Sequence, residues 1–157
     1  MNDMLKNYIK FVNTLNFNQL VEEGKICSVK LIGTVVDLST GTIKSQDLYA
    51  NKMSTIFLAL CQSTIYNGVT EKEIEFICET SPVTRDIVIE TINGLVTNSF
   101  SEALSNIQEL IPMIRSEFKS KDELLTLAKY IILLCGVDGS VTLSEKQFIK
   151  IFDCLLG

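Results

Sequence analysis

Residues 135–148 read CGVDGSVTLSEKQF, and this stretch joins two apolar helical segments through an acidic turn. Asp138-Gly139 is a dipeptide typical of tight turns. Thr142 and Glu145 have the spacing of a capping box, in which the hydroxyl accepts from a free amide of the new helix and the carboxylate accepts from the amide of the cap residue. The stretch therefore predicts a helix, an acidic corner and a second helix.

A second copy of this corner lies at residues 66–77, which read YNGVTEKEIEFI. With one residue of gap, apolar, hydroxyl, acidic and aromatic positions of the two stretches match. The matching pairs are Val69 with Val141, Thr70 with Thr142, Glu73 with Glu145, Phe76 with Phe148 and Ile77 with Ile149. Such a repeat predicts a pseudo-symmetric pair of corners, each fed by one long helix and followed by a capped one.

The N-terminal third of the chain has a mixed pattern. We expect one helix within residues 1–23, because apolar residues recur there at helical spacing. A further helix is expected to run to about Asp37 and to end at Ser39-Thr40-Gly41. β-Branched residues are frequent between positions 25 and 50, so a hairpin is the alternative for that segment.

Clearer helical patterns cover the rest of the chain. The expected helices are 51–66, one from Thr70, one from Ser81-Pro82, then 101–118, one from Ser120 into the opening stretch, and a last one after Thr142. Capping boxes are expected at Thr70 and Ser120 as well as at Thr142. These patterns predict an all-α fold of six or seven helices in a single domain, 1–157, with 1–50 as an N-terminal helical extension and 51–157 as the core.

Charge and length narrow the function classes. The chain has 157 residues and a net charge of −5 without a basic stripe. Nucleic-acid binding is therefore not expected, because Lys and Arg contacts to phosphate supply most of that affinity. No apolar run reaches the roughly 18 residues that a bilayer requires, and no signal peptide is visible. We expect a cytoplasmic protein that is not itself transmembrane.

The residue types present also bear on catalysis. The sequence contains no histidine, which is the commonest general base in enzymes. Catalysis by a Ser-His or Cys-His pair is therefore excluded, and we expect no enzyme. The five cysteines form no C-x-x-C pair and are expected to be reduced core residues. Glu71, Glu73, Glu75 and Glu79 are expected to form a solvated face of one helix.

The two corners and the helices between them resemble the tellurite-resistance TerB family over about residues 51–157. The resemblance rests on residues 67–70 with Glu73, on residues 87–97, and on Asp138-Gly139 with Glu145. It implies a TerB-like helical bundle and a non-enzymatic module connected with tellurite resistance and the stress response. Asn67 departs from the family, which usually has Asp there, and so removes one charge from any site that the corners share.

The resemblance also implies partners and a ligand. TerB-like proteins are linked with membrane-associated complexes, which implies a protein partner for this chain and allows a homo-oligomer. Acidic residues in the corners of the family are suspected ligands of divalent ions. Carried over to this sequence, they point to Asp138, Glu145 and Glu73 as a weak site for Ca²⁺ or Mg²⁺.

A purely architectural interpretation of the second corner needs no ligand. Asp138 can close the turn through backbone hydrogen bonds, Gly139 can adopt a positive φ angle, and Glu145 can complete its capping box. This is the simplest interpretation of the three residues.

Two alternatives for the function of the chain stay open. The first is an EF-hand-like calcium-binding regulator, since Asp138 and Glu145 would occupy loop positions 5 and 12 of that motif. Leu134 and Gly136 would stand at positions 1 and 3, where they offer no side-chain oxygen to an ion. The second alternative is a plain structural scaffold subunit that uses residues 1–50 as its interface.

Overall fold

The computed structural model describes residues 2–65, 69–96, 100–139, 141 and 143–156. Within these ranges the fold is all-α, with eight helices and one short antiparallel ribbon that pairs Val36 with Ile43 and Asp37 with Thr42. The elements are α1 Asp3–Val12, α2 Phe17–Ile32, β1 Val36–Asp37, β2 Thr42–Ile43, α3 Gln46–Thr64, α4 Glu71–Thr80, α5 Arg85–Leu95, α6 Phe100–Glu117, α7 Lys121–Cys135 and α8 Leu143–Leu156. The all-α prediction is confirmed, but the expected count of six or seven helices is too low.

The prediction of one helix within residues 1–23 is wrong, because a cap divides this segment. Asn16 Oδ1 accepts a hydrogen bond from Gln19 N at 2.9 Å, and Gln19 Oε1 accepts one from Asn16 N at 2.9 Å. This reciprocal pair satisfies free amides at the start of α2 and fixes a new helix there. Two helices therefore form where one was expected.

The helix predicted to continue to about Asp37 forms but ends at Ile32, and the alternative hairpin follows it at residues 36–43. Asp37 Oδ1 accepts hydrogen bonds from Ser39 N at 3.0 Å and from Ser39 Oγ at 2.7 Å. Gly41 has a φ angle of 72°, a backbone conformation that glycine adopts without steric cost. The turn chemistry of residues 37–41 thus outweighs the helical pattern before it.

The helix predicted to begin at Ser81-Pro82 begins three residues later. Thr84 is the N-cap of α5, and its Oγ1 accepts a hydrogen bond from Ile87 N at 3.4 Å. Ser81 instead ends α4, with its amide bonded to the carbonyl of Ile77. A capping hydroxyl therefore decides the start of the helix, and the proline lies in the connection.

Helix α7 is the centre of the core. Its residues are buried on every side, including Leu127, Tyr130 and Leu133 at 0% exposure, and α1, α2, α3, α4 and α8 all pack against it. A helix that is apolar all round is one surrounded by other elements. One cluster of buried apolar side chains runs from Leu5 in α1 to Phe152 in α8. Helices α1 and α2 thus share the core with the rest of the chain, while the proposed division at residue 50 stays a prediction.

A close approach of two helices depends on Gly24 in α2. A Cβ atom at this position would lie 2.7 Å from Thr80 Cγ2 and 2.8 Å from the ring of Phe76, both in α4. Such distances are below van der Waals contact, so only glycine lets α2 pack this closely on α4. This packing holds the C-terminal half of α4 against α2.

Candidate functional site

The two corners predicted from the repeat lie side by side. Thr70, the N-cap of α4, donates a hydrogen bond from its hydroxyl to Asp138 Oδ1 at 2.9 Å, across 68 residues of sequence. Asp138 lies in the turn that follows α7, where Gly139 has a φ angle of 117°. A side chain of the first corner therefore contacts the acidic turn of the second directly.

The capping box predicted at Thr70 is present in full. Thr70 Oγ1 accepts from Glu73 N at 3.3 Å, and Glu73 Oε1 accepts from Thr70 N at 3.1 Å. Thr70 Oγ1 also lies 3.1 Å from Glu73 Oε1, so its single hydroxyl hydrogen has two acceptors, Glu73 and Asp138. The cap of α4 and the link to the second corner consequently share one side chain.

Parts of both corners lie outside the described residues. These are residues 66–68, with Asn67, in the first corner, and Ser140 and Thr142 in the second. The capping box expected between Thr142 and Glu145 therefore stays a prediction. Of the two hydrogen bonds of the capping box expected at Ser120, one is present: Ser120 Oγ accepts from Glu123 N at 3.1 Å. The Glu123 carboxylate forms an ion pair with Lys52 instead of accepting from the Ser120 amide.

The N-terminal segment also holds the second corner. Val141 N donates a hydrogen bond to Asn13 Oδ1 at 3.2 Å, directly after α1. Asn2 N donates to Asp153 Oδ1 at 2.9 Å at the opposite end of α1. Helix α1 is thus tied at both of its ends to the corner and to α8, which no local pattern in the sequence indicates.

Burial separates the acidic residues of the corners. Glu73 is 2% exposed and Glu145 is 4% exposed, whereas Asp138 is exposed. The expectation of a solvated face is correct for Glu71, Glu75 and Glu79 but wrong for Glu73. The reason is that the capping bond turns the Glu73 carboxylate back over the N-terminus of α4, toward the other corner.

Burial raises the pKa of Glu73 from its ordinary value of 4.5 to about 8. The hydrogen bond from the Thr70 amide acts in the opposite direction, and the nearby charges of Asp138 and Glu145 raise the pKa further. Glu73 consequently keeps its proton at neutral pH. One proton thus lowers the repulsion among three carboxyl groups that the fold brings together.

Cys135, expected only as a reduced core residue, lies close to these three carboxyl groups and forms a cluster with them. It is buried at the end of α7, and burial raises the pKa of its thiol well above the ordinary value. Charge and hydrogen bonding from Glu145 raise that pKa further, followed by the charges of Glu73 and Asp138. The cysteine therefore stays a thiol and is a poor nucleophile. Its position three residues before Asp138 is the only sequence signal that could have suggested its membership.

The other cysteines fit the expectation of reduced core residues in part. All five carry free thiols; Cys27 and Cys61 are buried with Cys135, Cys78 is partly exposed, and Cys154 is exposed. Burial raises the pKa of the Cys61 thiol to about 12. Only Cys154 departs clearly from the expected core position.

No metal-binding arrangement is preformed in the part of the chain that the structure describes. Asp138 and Glu145 are close enough to raise the pKa of Glu73, yet no group of three or more Cys, Asp or Glu side chains among the described residues could hold a metal ion as placed. The cation site predicted at these three residues stays a prediction. A cation would have to rearrange the cluster and displace the proton of Glu73.

A second feature is an open groove between α3, α5 and α6, which we call the α3/α6 groove. It has a volume of about 160 Å³. It is lined by Leu58 and Gln62 of α3, Leu95 of α5, and Asn106, Leu110 and Met113 of α6, with Glu109 at its rim. Met113 is 40% exposed. Apolar side chains of three helices therefore line a concave surface that the described residues leave open.

Comparison of this chain with protein-family models, with curated proteins and with solved structures gives no match. The TerB resemblance accordingly stays a prediction. In the described residues, no helix combines the length and the apolar character that crossing a membrane requires.

Proposed function

We propose that this chain is a non-enzymatic helical module of TerB-like architecture that binds a protein partner. The observation that carries the proposal is the α3/α6 groove, which is lined by Leu58, Leu110 and Met113, with Met113 40% exposed. Concave apolar surfaces bordered by polar residues are typical of protein–protein contacts. Binding through this groove requires no change in the core.

The paired corners support the same function as a rigid frame. The Thr70–Asp138 bond ties the start of α4 to the turn between α7 and α8. Burial keeps the Cys135 thiol protonated, and the sequence contains no histidine that could act as a base. These features favour a binding module over a catalytic one.

A second candidate function is weak binding of Ca²⁺ or Mg²⁺ at Asp138, Glu145 and Glu73. It is favoured by the nearness of Asp138 and Glu145 to Glu73, because divalent ions of this kind prefer carboxylate oxygens; the three groups do not form a metal site as placed. Bound there, an ion would compete with the proton of Glu73 and adjust the angle between the corners. An EF-hand-like loop is disfavoured because Leu134 is fully buried within α7.

The TerB resemblance supplies the biological setting of the proposal. On this resemblance, the module would act in tellurite resistance or another stress response, beside a membrane-associated complex. The chain would then be a peripheral subunit that recognises a segment of that complex.

Photo-crosslinking from the groove tests the protein-binding function. Benzoylphenylalanine is placed at Met113 in one variant and, as the control, at Ile26, an exposed apolar position of α2 outside the groove. We expect one protein to crosslink to the first variant in native cells and not to the second. The same protein, once purified, is expected to bind the unmodified chain in calorimetry. Failure of the purified pair to bind would overturn the proposal.

A further inference from the structure

The α3/α6 groove contains a hydrogen-bond donor that the fold does not satisfy. Gln62 is 3% exposed, and among the buried side-chain nitrogen and oxygen atoms of the described residues its Nε2 is the one that has no partner. Buried polar groups are almost always paired, because an unmade hydrogen bond costs free energy. Gln62 lines the groove, so we expect a rotation of its side chain to offer this donor to an acceptor supplied from outside.

The neighbours of Gln62 show that this is a property of one position and not of the helix end. Ser63 Oγ donates to the carbonyl of Leu60 at 2.7 Å, and Thr64 Oγ1 donates to the carbonyl of Cys61 at 2.8 Å. Both hydroxyls find partners within α3. Only the side chain that lines the groove is left with a free donor.

The charge of the groove indicates the sign of its ligand. Glu109 lies on the rim, and a second depression of about 400 Å³, which shares Met113 with the first, is bordered by Glu117. No basic side chain is among the described residues that line either depression. Along α3 the two depressions extend from Asn51 to Gln62, about 17 Å of helix. A peptide segment with basic residues complements this surface.

From these observations we infer that the groove binds a short segment of a partner protein in which an apolar residue is followed by Lys or Arg. The apolar side chain packs between Leu58, Leu110 and Met113, a main-chain carbonyl accepts a hydrogen bond from Gln62 Nε2, and the basic side chain lies beside Glu109. The inference rests on the proposed function, because it names the chemistry of the partner at the same groove. It differs from that function in assigning Gln62 as the residue that recognises the backbone.

A minimal peptide tests this recognition on the full chain. The probe is N-acetyl-leucyl-arginine amide, which combines an isobutyl group, carbonyl acceptors and a guanidinium group. In a titration followed by ¹H–¹⁵N NMR, we expect the side-chain amide of Gln62 to shift with a Kd on the order of millimolar. N-acetyl-leucyl-glutamate amide is expected to bind at least tenfold more weakly. Equal binding of the two peptides, or shifts confined to other residues, would overturn the inference.

Two variants separate recognition from structure. Gln62→Met keeps the length of the side chain and removes the donor, so we expect at least a fivefold loss of probe affinity with a thermal midpoint that is unchanged or higher. Gln108→Met, on the exposed side of α6, is the matched control and is expected to bind the probe normally. A Gln62→Met protein that binds normally, or one with a lower thermal midpoint, would contradict the role of Gln62.

The two proposals can fail separately. A partner that crosslinks at Met113 while the dipeptide does not bind leaves the protein-binding function standing and removes the inference about Gln62. If the dipeptide binds but no partner crosslinks, the assignment of Gln62 and Glu109 as ligand-binding residues stands. The proposal that the groove binds a protein partner then fails.

Discussion

Lys52 and Glu123 form an ion pair with 2.7 Å between Nζ and Oε2, and their side chains are only 8% and 22% exposed. Lys52 also donates to Thr34 Oγ1 at 3.0 Å, and its ammonium lies 5.1 Å from the centre of the Phe118 ring. The pair joins α3 to α7 in a setting that excludes most water. Its electrostatic attraction is therefore weakly screened by salt.

Loss of the acidic partner should be costly here. We expect Glu123→Gln to lower the free energy of unfolding by about 3 kcal/mol, because it leaves the Lys52 charge buried without compensation. Denaturant titration measures the change. The matched control is Asp122→Asn, which breaks an exposed pair with Lys30 at 3.2 Å and should cost less than about 1 kcal/mol. Equal losses in the two variants would show that burial does not strengthen the Lys52–Glu123 pair.

Glu73 makes stability depend on pH. Its folded-state pKa of about 8 exceeds the ordinary value of 4.5, so between these pH values the folded chain holds a proton that the unfolded chain releases. Stability should consequently fall as pH rises from about 4.5 to 8 and become level above that, with a slope of at most ~1.4 kcal/mol per pH unit from this group.

Glu73→Gln should remove this contribution and make the chain more stable than the parent at pH 8. Thermal melts at several pH values measure it, with Glu75→Gln, an exposed neighbour on α4, as the control. Identical pH profiles for Glu73→Gln and the parent would mean that Glu73 is ionised in the folded protein.

Cation binding at the corners should release a proton. Because Glu73 is protonated at neutral pH, we expect the heat of Mg²⁺ or Ca²⁺ binding to depend on the buffer and the affinity to increase as pH rises toward 8. Asp138→Asn should weaken binding, whereas Asp86→Asn, in the first turn of α5, should not. Calorimetry without heat at millimolar ion would exclude the site, and unchanged affinity in Asp138→Asn would place it elsewhere.

Two glycines should respond to alanine in opposite directions. Gly24→Ala forces a Cβ against Thr80 and Phe76 and should destabilise the chain by about 1–3 kcal/mol. Gly94→Ala, in α5 with no atom within 4 Å of the new Cβ, should be neutral or stabilising by up to about 1 kcal/mol. Denaturant midpoints compare the two. A Gly24→Ala chain as stable as the parent would show that α2 and α4 can move apart without cost.

The sequence predicts best what is decided within a few residues. The capping box at Thr70 depends on a hydroxyl and a carboxylate three positions apart, and it forms as expected. The break at Asn16 obeys the same local rule, with Asn16 as the cap and Gln19 as its partner three positions later, so it was predictable from the sequence. The strand pairing of Val36 with Ile43 fits the β-branched composition of that segment, and the turn at Gly41 decided against the helix.

The candidate sites depend on contacts between distant residues and were predictable only in outline. The repeat suggested two similar corners, and the Thr70–Asp138 bond is what unites them. In sequence, Glu73 differs from its neighbours Glu71 and Glu75 only in its capping-box spacing from Thr70. In the fold it is 2% exposed, and α7 packs against α4. Nothing in the residues around Gln62 indicates that its amide would face a groove, because Leu95 and Leu110 come from other helices.

The central position of α7 has a consequence for folding kinetics. Helices α1 and α2 bury their apolar faces mainly against α7, whose residues follow about a hundred positions later in the chain. Until that long loop closes, α1 and α2 lack the helix on which most of their contacts are made. Contacts of such sequence separation slow the search for the native state and leave apolar surface open to aggregation in the meantime. The rate-limiting event in refolding should therefore be the docking of α7 between its neighbours.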